Sequence, residues 1–132
     1  MSKILLPYLA IVFVMVLLDV AWLGGVARPL YQRGIGHLMK DKPDFVAAAL
    51  FYLLHAVGVM VFVVLPRSSG DWQLAAAYGA LFGFMGYMTY DLTNLATLRG
   101  WPVGLALVDT AWGCVATGAA ATASKLVADR FA

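Results

Sequence analysis

Asp19, Asp91 and Asp109 lie inside long apolar stretches of this chain, where a carboxylate finds no bulk water. A charged side chain inside a membrane span costs about 2.5–3.5 kcal/mol on insertion scales and is a functional candidate by default. Aspartate is too short to reach the interface as lysine does, so each needs a partner, a water or a proton. Two carboxyl groups within a few ångströms cannot both ionise readily. Such a pair is equally an acid–base device and a proton carrier. His55, one turn from Tyr52, adds another ionisable group. Asp91 and Asn94 share a helical face, with Tyr87 one turn earlier. Trp22 and Trp112 close two matching D-x-A-W pieces, Asp19-Val20-Ala21-Trp22 and Asp109-Thr110-Ala111-Trp112. Their indole N–H groups need acceptors in an apolar setting, and Asp19 and Asp109 offer them.

These residues must be positioned by membrane-spanning helices. The chain has 132 residues, 63% of them hydrophobic and 12% charged. Ordinary soluble domains run at about 45–50% and about 25%. Crossing the hydrocarbon takes about 20 mostly apolar residues as a helix. Four stretches qualify, at about 4–27, 46–65, 73–98 and 103–128. Runs of this length without two-residue alternation mean helices, because backbone groups in lipid must be satisfied within the segment. The expected fold is all-α: a four-transmembrane-helix bundle forming a single integral membrane domain over 1–132. Small residues along the third stretch (Gly79, Gly83, Gly86) and the fourth (Gly113, Thr117, Ala121) favour close packing. The first run carries Asp19 and no small-residue cleavage site, so it reads as a retained helix.

Between the first two helices, Tyr31, Ile35, Leu38 and Met39 recur at helical spacing opposite Gln32, Arg33 and Lys40. That pattern predicts a short amphipathic segment lying in the headgroup plane. Trp72 and Trp101 fall where interfacial anchors belong. Lysines, arginines and the terminal amine divide evenly between the two faces, which leaves orientation undecided.

Depth is the informative coordinate. Asp19 and Asp91 precede the ends of the first and third helices by about eight and seven residues, and Asp109 follows the start of the fourth by about six. At 1.5 Å per residue all three fall about 9–12 Å below one surface. His55 lies at a comparable or slightly greater depth on the second helix. Every helix thus brings an ionisable residue to one slab. Arg28 and Arg99, at helix exits on the same side, are candidates to meet a lipid headgroup or neutralise an aspartate.

The remaining polar residues carry less. His37 reads as a solvated surface residue, and Cys114 as packing. No ligand-spacing motif supports a metal, no cofactor is expected, and no nucleotide or hydrolase fingerprint is present. A net charge of +2 selects no nucleic acid.

Several strings resemble a known family. They are Asp19-Val20-Ala21-Trp22-Leu23-Gly24, Tyr31 with Gly34, Phe51-Tyr52, the stretch from Tyr90 to Pro102, and Asp109-Thr110-Ala111-Trp112-Gly113. Together they are similar to the bacterial membrane-protein family numbered 2177 among domains of unknown function, over essentially the whole chain. The resemblance implies a four-helix protein of the bacterial inner membrane. It implies no activity.

The expected function is binding, with modification left open, of a hydrophobic lipid-like molecule at an intramembrane carboxylate cluster. Asp19, Asp91 and Asp109 form its polar end. Tyr52, His55, Asn94, Trp22, Trp112, Arg28 and Arg99 contact the ligand. Membrane lipid or another hydrophobic small molecule is the expected partner, with a homo-oligomer open. Two alternatives stand beside it: proton- or cation-coupled transport, and a non-catalytic accessory subunit of a membrane complex.

Overall fold

The computed structural model describes residues 2–131, and every one of its regular elements is a helix. Helix α1 covers Ser2–Ala21 and runs on into a π-turn at Trp22–Val26. A short helix α2 (Arg28–Ile35) follows, extended by a 3-10 turn at Gly36–Leu38. Helix α3 (Phe45–Val59) continues through a π-turn at Met60–Val64 and a 3-10 turn at Leu65–Arg67. Helices α4 (Trp72–Thr97) and α5 (Val103–Arg130) complete the chain.

Local chemistry sets the boundaries. Asp44 caps α3, its carboxylate accepting from the backbone N–H groups of Val46 (3.0 Å) and Ala47 (3.1 Å). Pro29 opens α2, where its missing N–H costs nothing. Gly100 has φ +74°, a left-handed conformation that glycine adopts freely, and it reverses the chain between α4 and α5. In the π-turn after α1, the Ala27 N–H donates to the Trp22 carbonyl at 2.8 Å.

Three helical segments are long and apolar enough to cross a membrane: Lys3–Val26, Phe45–Arg67 and Val103–Arg130. The remaining long helix, α4, is outside that group. Its 26 residues suffice in length, but Tyr78, Tyr87, Tyr90, three glycines, three threonines, Asn94 and Asp91 lower its hydropathy.

Helix α5 is the axis of the packing. Its largest interface is with α4, and its next largest with α1. The α4–α5 contact depends on missing side chains. A Cβ on Gly83 would collide with the Gly113 carbonyl, and one on Gly79 would sit 2.6 Å from Ala121 Cβ. Around α5, Ile11 and Met15 of α1 join Ala56, Val59 and Met60 with Val63 against Ala116, Ala120 and Ala121 in one buried cluster. Small residues on α5 let three neighbours approach its backbone, the packing mode membrane helices use.

The segment after α1 departs from the expected amphipathic helix. Only Arg28–Ile35 is α-helical, and its apolar face does not continue. Tyr31 and Ile35 pack on Trp101 and Leu105, whereas Leu38 and Met39 are exposed. Gly34 is the reason α2 lies against the start of α5: a Cβ there would be 3.0 Å from Pro102 Cγ. Trp101, expected as an interfacial anchor, is instead buried, edge-on to the Tyr90 ring at 5.6 Å between centroids. Trp72 is exposed.

Candidate functional site

The three aspartates belong to one connected network, though not to one point. Asp19 is 7% exposed and accepts from the Tyr52 hydroxyl at 2.6 Å and from Trp112 Nε1 at 2.7 Å. Asp109 accepts from the Tyr31 hydroxyl, which in turn accepts from Trp22 Nε1 at 3.3 Å. Asp91 is fully buried, and its Oδ2 accepts from the Thr110 hydroxyl at 3.3 Å. Its carboxyl group lies near enough to Asp109 for the two charges to act on each other. The pair is therefore Asp91–Asp109, and Asp19 joins it through aromatic side chains.

The joint is a stack. The Trp22 and Trp112 rings lie 4.3 Å apart, 4° from parallel. Because α1 and α5 run antiparallel, the two D-x-A-W pieces cross. Trp112 reaches back to Asp19 of the opposite helix, while Trp22 reaches Asp109 through Tyr31. Each of these acids also takes a tyrosine hydroxyl, Tyr52 for Asp19 and Tyr31 for Asp109. The Tyr87 phenol stands within electrostatic range of Asp19, Asp109, Tyr52 and Tyr31. Burial, then the hydrogen bond to Asp109, pushes the Tyr31 phenol above the ordinary tyrosine range. Tyr31 is thus a proton donor across the accessible pH range.

Other expected residues lie elsewhere. His55 Nε2 is 3.1 Å from the Thr117 hydroxyl, and its ring stacks on Phe51. Thr117 is eight residues beyond Asp109 along α5, about 12 Å further in, so His55 is beyond the aspartates rather than among them. Asn94 makes no side-chain hydrogen bond among the described residues. Arg28 and Arg99 are exposed, and neither neutralises an aspartate. The ion pair formed among the described residues is Lys125–Asp129. Exposed at the start of α2 and just past the end of α4, their guanidinium groups stay in contact with the surroundings rather than with a buried acid.

Tyr31 and Thr110 are neighbours of the acids that residue counting overlooks. Thr110 is the x of a D-x-A-W piece. Tyr31 stands on the short helix, and its signal was its pairing with Gly34, the residue that lets α2 reach α5. Two apolar grooves border none of the three acids. One, about 560 Å3, runs along Leu9, Val12, Phe13, Val16, Leu17 and Val20 of α1. The other, about 210 Å3, lies between the end of α3 and α4, with Phe62, Phe82 and Met85 in its wall. Among the described residues no three His, Cys or acidic side chains are grouped to hold a metal ion.

Apolar helices of spanning length packed through small residues define an all-helical membrane protein. The chain belongs to the family described as predicted membrane protein, domain of unknown function 2177, whose model matches residues 4–126. No curated protein and no solved structure matches it.

Proposed function

We propose that α4 crosses the membrane beside the three more apolar helices, as a four-helix bundle, and that the carboxylate network is the polar end of a site for a lipid-like ligand. A bacterial inner membrane is the setting this reading takes. The single observation that carries it is Asp91. This carboxyl group is completely buried beside a second one, yet its Oδ1 has no hydrogen-bond partner. A purely structural acid would have its acceptors filled, since an unpartnered buried polar atom costs about 1–3 kcal/mol. Asp91 and Asp109 repel unless a cation, either a proton or a charged ligand group, lies between them. Tyr31, Thr110, Trp22 and Trp112 hold the acids in position, and Tyr52 and Tyr87 line the approach from α3 and α4.

A photoreactive lipid, bearing a diazirine near its headgroup, tests the site in vesicles of bacterial phospholipid. The site reading predicts labelling concentrated on peptides containing Tyr31, Asp91 and Asp109, and its loss in Asp91→Asn. Labelling spread over the outward face of α1, at Phe13 and Leu17, with no dependence on Asp91, contradicts it.

The crossed D-x-A-W pieces support a second reading, proton-coupled transport. They form a local two-fold arrangement between antiparallel helices, the kind of symmetry many transporters place at their ion sites. Vesicles carrying an internal pH dye discriminate: acidification that disappears in Asp109→Asn supports transport, and no proton flux at all removes it.

A further inference from the structure

Every donor that serves the three carboxylates is neutral: Tyr52 and Trp112 at Asp19, Tyr31 at Asp109, Thr110 at Asp91. No Lys, Arg or His comes within ion-pair distance of them among the described residues. A buried carboxylate without a counter-charge is strongly disfavoured, and proteins pair such groups. Two buried polar atoms also lack hydrogen-bond partners among the described residues. They are Asp91 Oδ1 and Trp101 Nε1, and both lie at this end of the molecule, where Trp101 packs in one cluster with Tyr31. The rings of Trp22, Trp112, Tyr31, Tyr52 and Tyr87 interleave with the acids. Carboxylates attract an organic ammonium group by charge, and aromatic rings attract it by their quadrupole. A bare metal ion fits less well, since no ligand group for one is assembled among the described residues.

We infer that the ligand of this site is an amphiphile with a primary ammonium head, its N–H groups donating to Asp91 Oδ1 and Asp109 and its chain lying in the bilayer. This rests on the lipid-site reading above and deepens it. A quaternary ammonium fits less well, because Asp91 Oδ1 needs a hydrogen-bond donor and a methylated nitrogen supplies none. A fatty acid is excluded by charge, since its carboxylate would be a fourth acid in the same place.

The test uses the full chain in neutral non-ionic micelles, titrated separately with dodecylamine, dodecyltrimethylammonium, dodecanol and dodecanoate. It is read by tryptophan fluorescence, with the Trp72→Phe substitution in place so that the signal comes from Trp22, Trp101 and Trp112 at the site. Dodecylamine is expected to bind at least about tenfold tighter than the other three, a difference of about 1.4 kcal/mol. That preference is expected to vanish in Asp109→Asn. Near-ultraviolet circular dichroism of the tryptophan pair checks that the variant is folded, and Asp91→Asn serves if it is not. Equal binding of dodecylamine and dodecanol overturns the inference, as does equal binding of the quaternary compound. If dodecanol binding still depends on Asp91 and Asp109, the lipid site stands and only the charge assignment falls. If no compound's binding depends on either acid, both fall.

Discussion

The two ends of α5 treat charge in opposite ways. Near its C-terminus, Lys125 is only 2% exposed and paired with an opposite charge: its Nζ donates to the Ser68 carbonyl at 2.8 Å and to Asp129 at 2.6 Å. Ser124 beside it donates to Met60 Sδ at 3.7 Å. That end ties the α3–α4 turn to the last turns of α5, and its buried charge meets an opposite one. Near the N-terminus of α5, acids meet acids, the donors are neutral, and a buried carboxylate oxygen has no partner. A closed ion pair between neighbouring turns is what stability requires. An open one, assembled from three helices, is what a site requires. Burial alone does not separate the two, because Lys125 and Asp91 are buried about equally. Partner count does.

The comparison can be broken most severely at the seam both ends share. Gly83→Leu places a side chain where the Gly113 backbone stands. The expected loss is about 3 kcal/mol or more, seen as failure to yield a monodisperse protein in mild detergent. A normal yield would mean that α4 and α5 do not meet as described. Lys125→Met comes next. It keeps the volume and removes two hydrogen bonds, one of them charge-assisted, for an expected loss of about 1–3 kcal/mol. Thermal unfolding in detergent would report it, while dodecylamine binding stays unchanged. Asp91→Asn should move stability by less than about 1 kcal/mol, because it relieves acid–acid repulsion while keeping the Thr110 contact. It should nonetheless abolish ligand binding. The smallest effect concerns pH. The folded-state value of Tyr31 is raised above its unfolded value, so its stabilisation is complete below about pH 10. It declines as the pH climbs past that point, when the unfolded chain releases the proton first. Tyr31→Phe should therefore flatten the alkaline limb of the stability profile, and an unchanged limb would show that Tyr31 is not buried against Asp109 as described.

Much of this was legible from residue order. The all-helical character followed from the length of the apolar runs. The need of the buried indoles for acceptors pointed to Asp19 and Asp109, and Trp112 does donate to Asp19. What counting along a helix cannot supply is rotation about it. Counting puts Asp19 and Asp91 at nearly the same height, yet Asp91 turns toward Thr110 and Asp109 and Asp19 toward Tyr52 and Trp112. His55 has a suitable type and turns to Thr117. Arg28 and Arg99 looked like counter-charges because they sit at the right height. Their position at helix ends leaves them in the open instead. Tyr31 was hidden for a different reason: it reaches Asp109 only because Gly34 and Pro102 let α2 fold down on α5, a contact between segments about 70 residues apart. Helix α4 shows the limit of composition itself. Gly79 and Gly83, which pack on α5, and Tyr87, which stands near the acids, lower its hydropathy, as do the exposed Thr89, Thr93 and Thr97, whose hydroxyls donate to carbonyls of their own helix.

The central claim is that the open end binds and the closed end only holds. Native mass spectrometry of Asp91→Asn and Lys125→Met proteins, each purified in the same mild detergent after expression in bacteria, tests it most directly. The expected result is a folded but empty Asp91→Asn protein, beside a Lys125→Met protein that is less stable yet carries the same bound amphiphile as the parent chain. Equal occupancy in the two variants would contradict it.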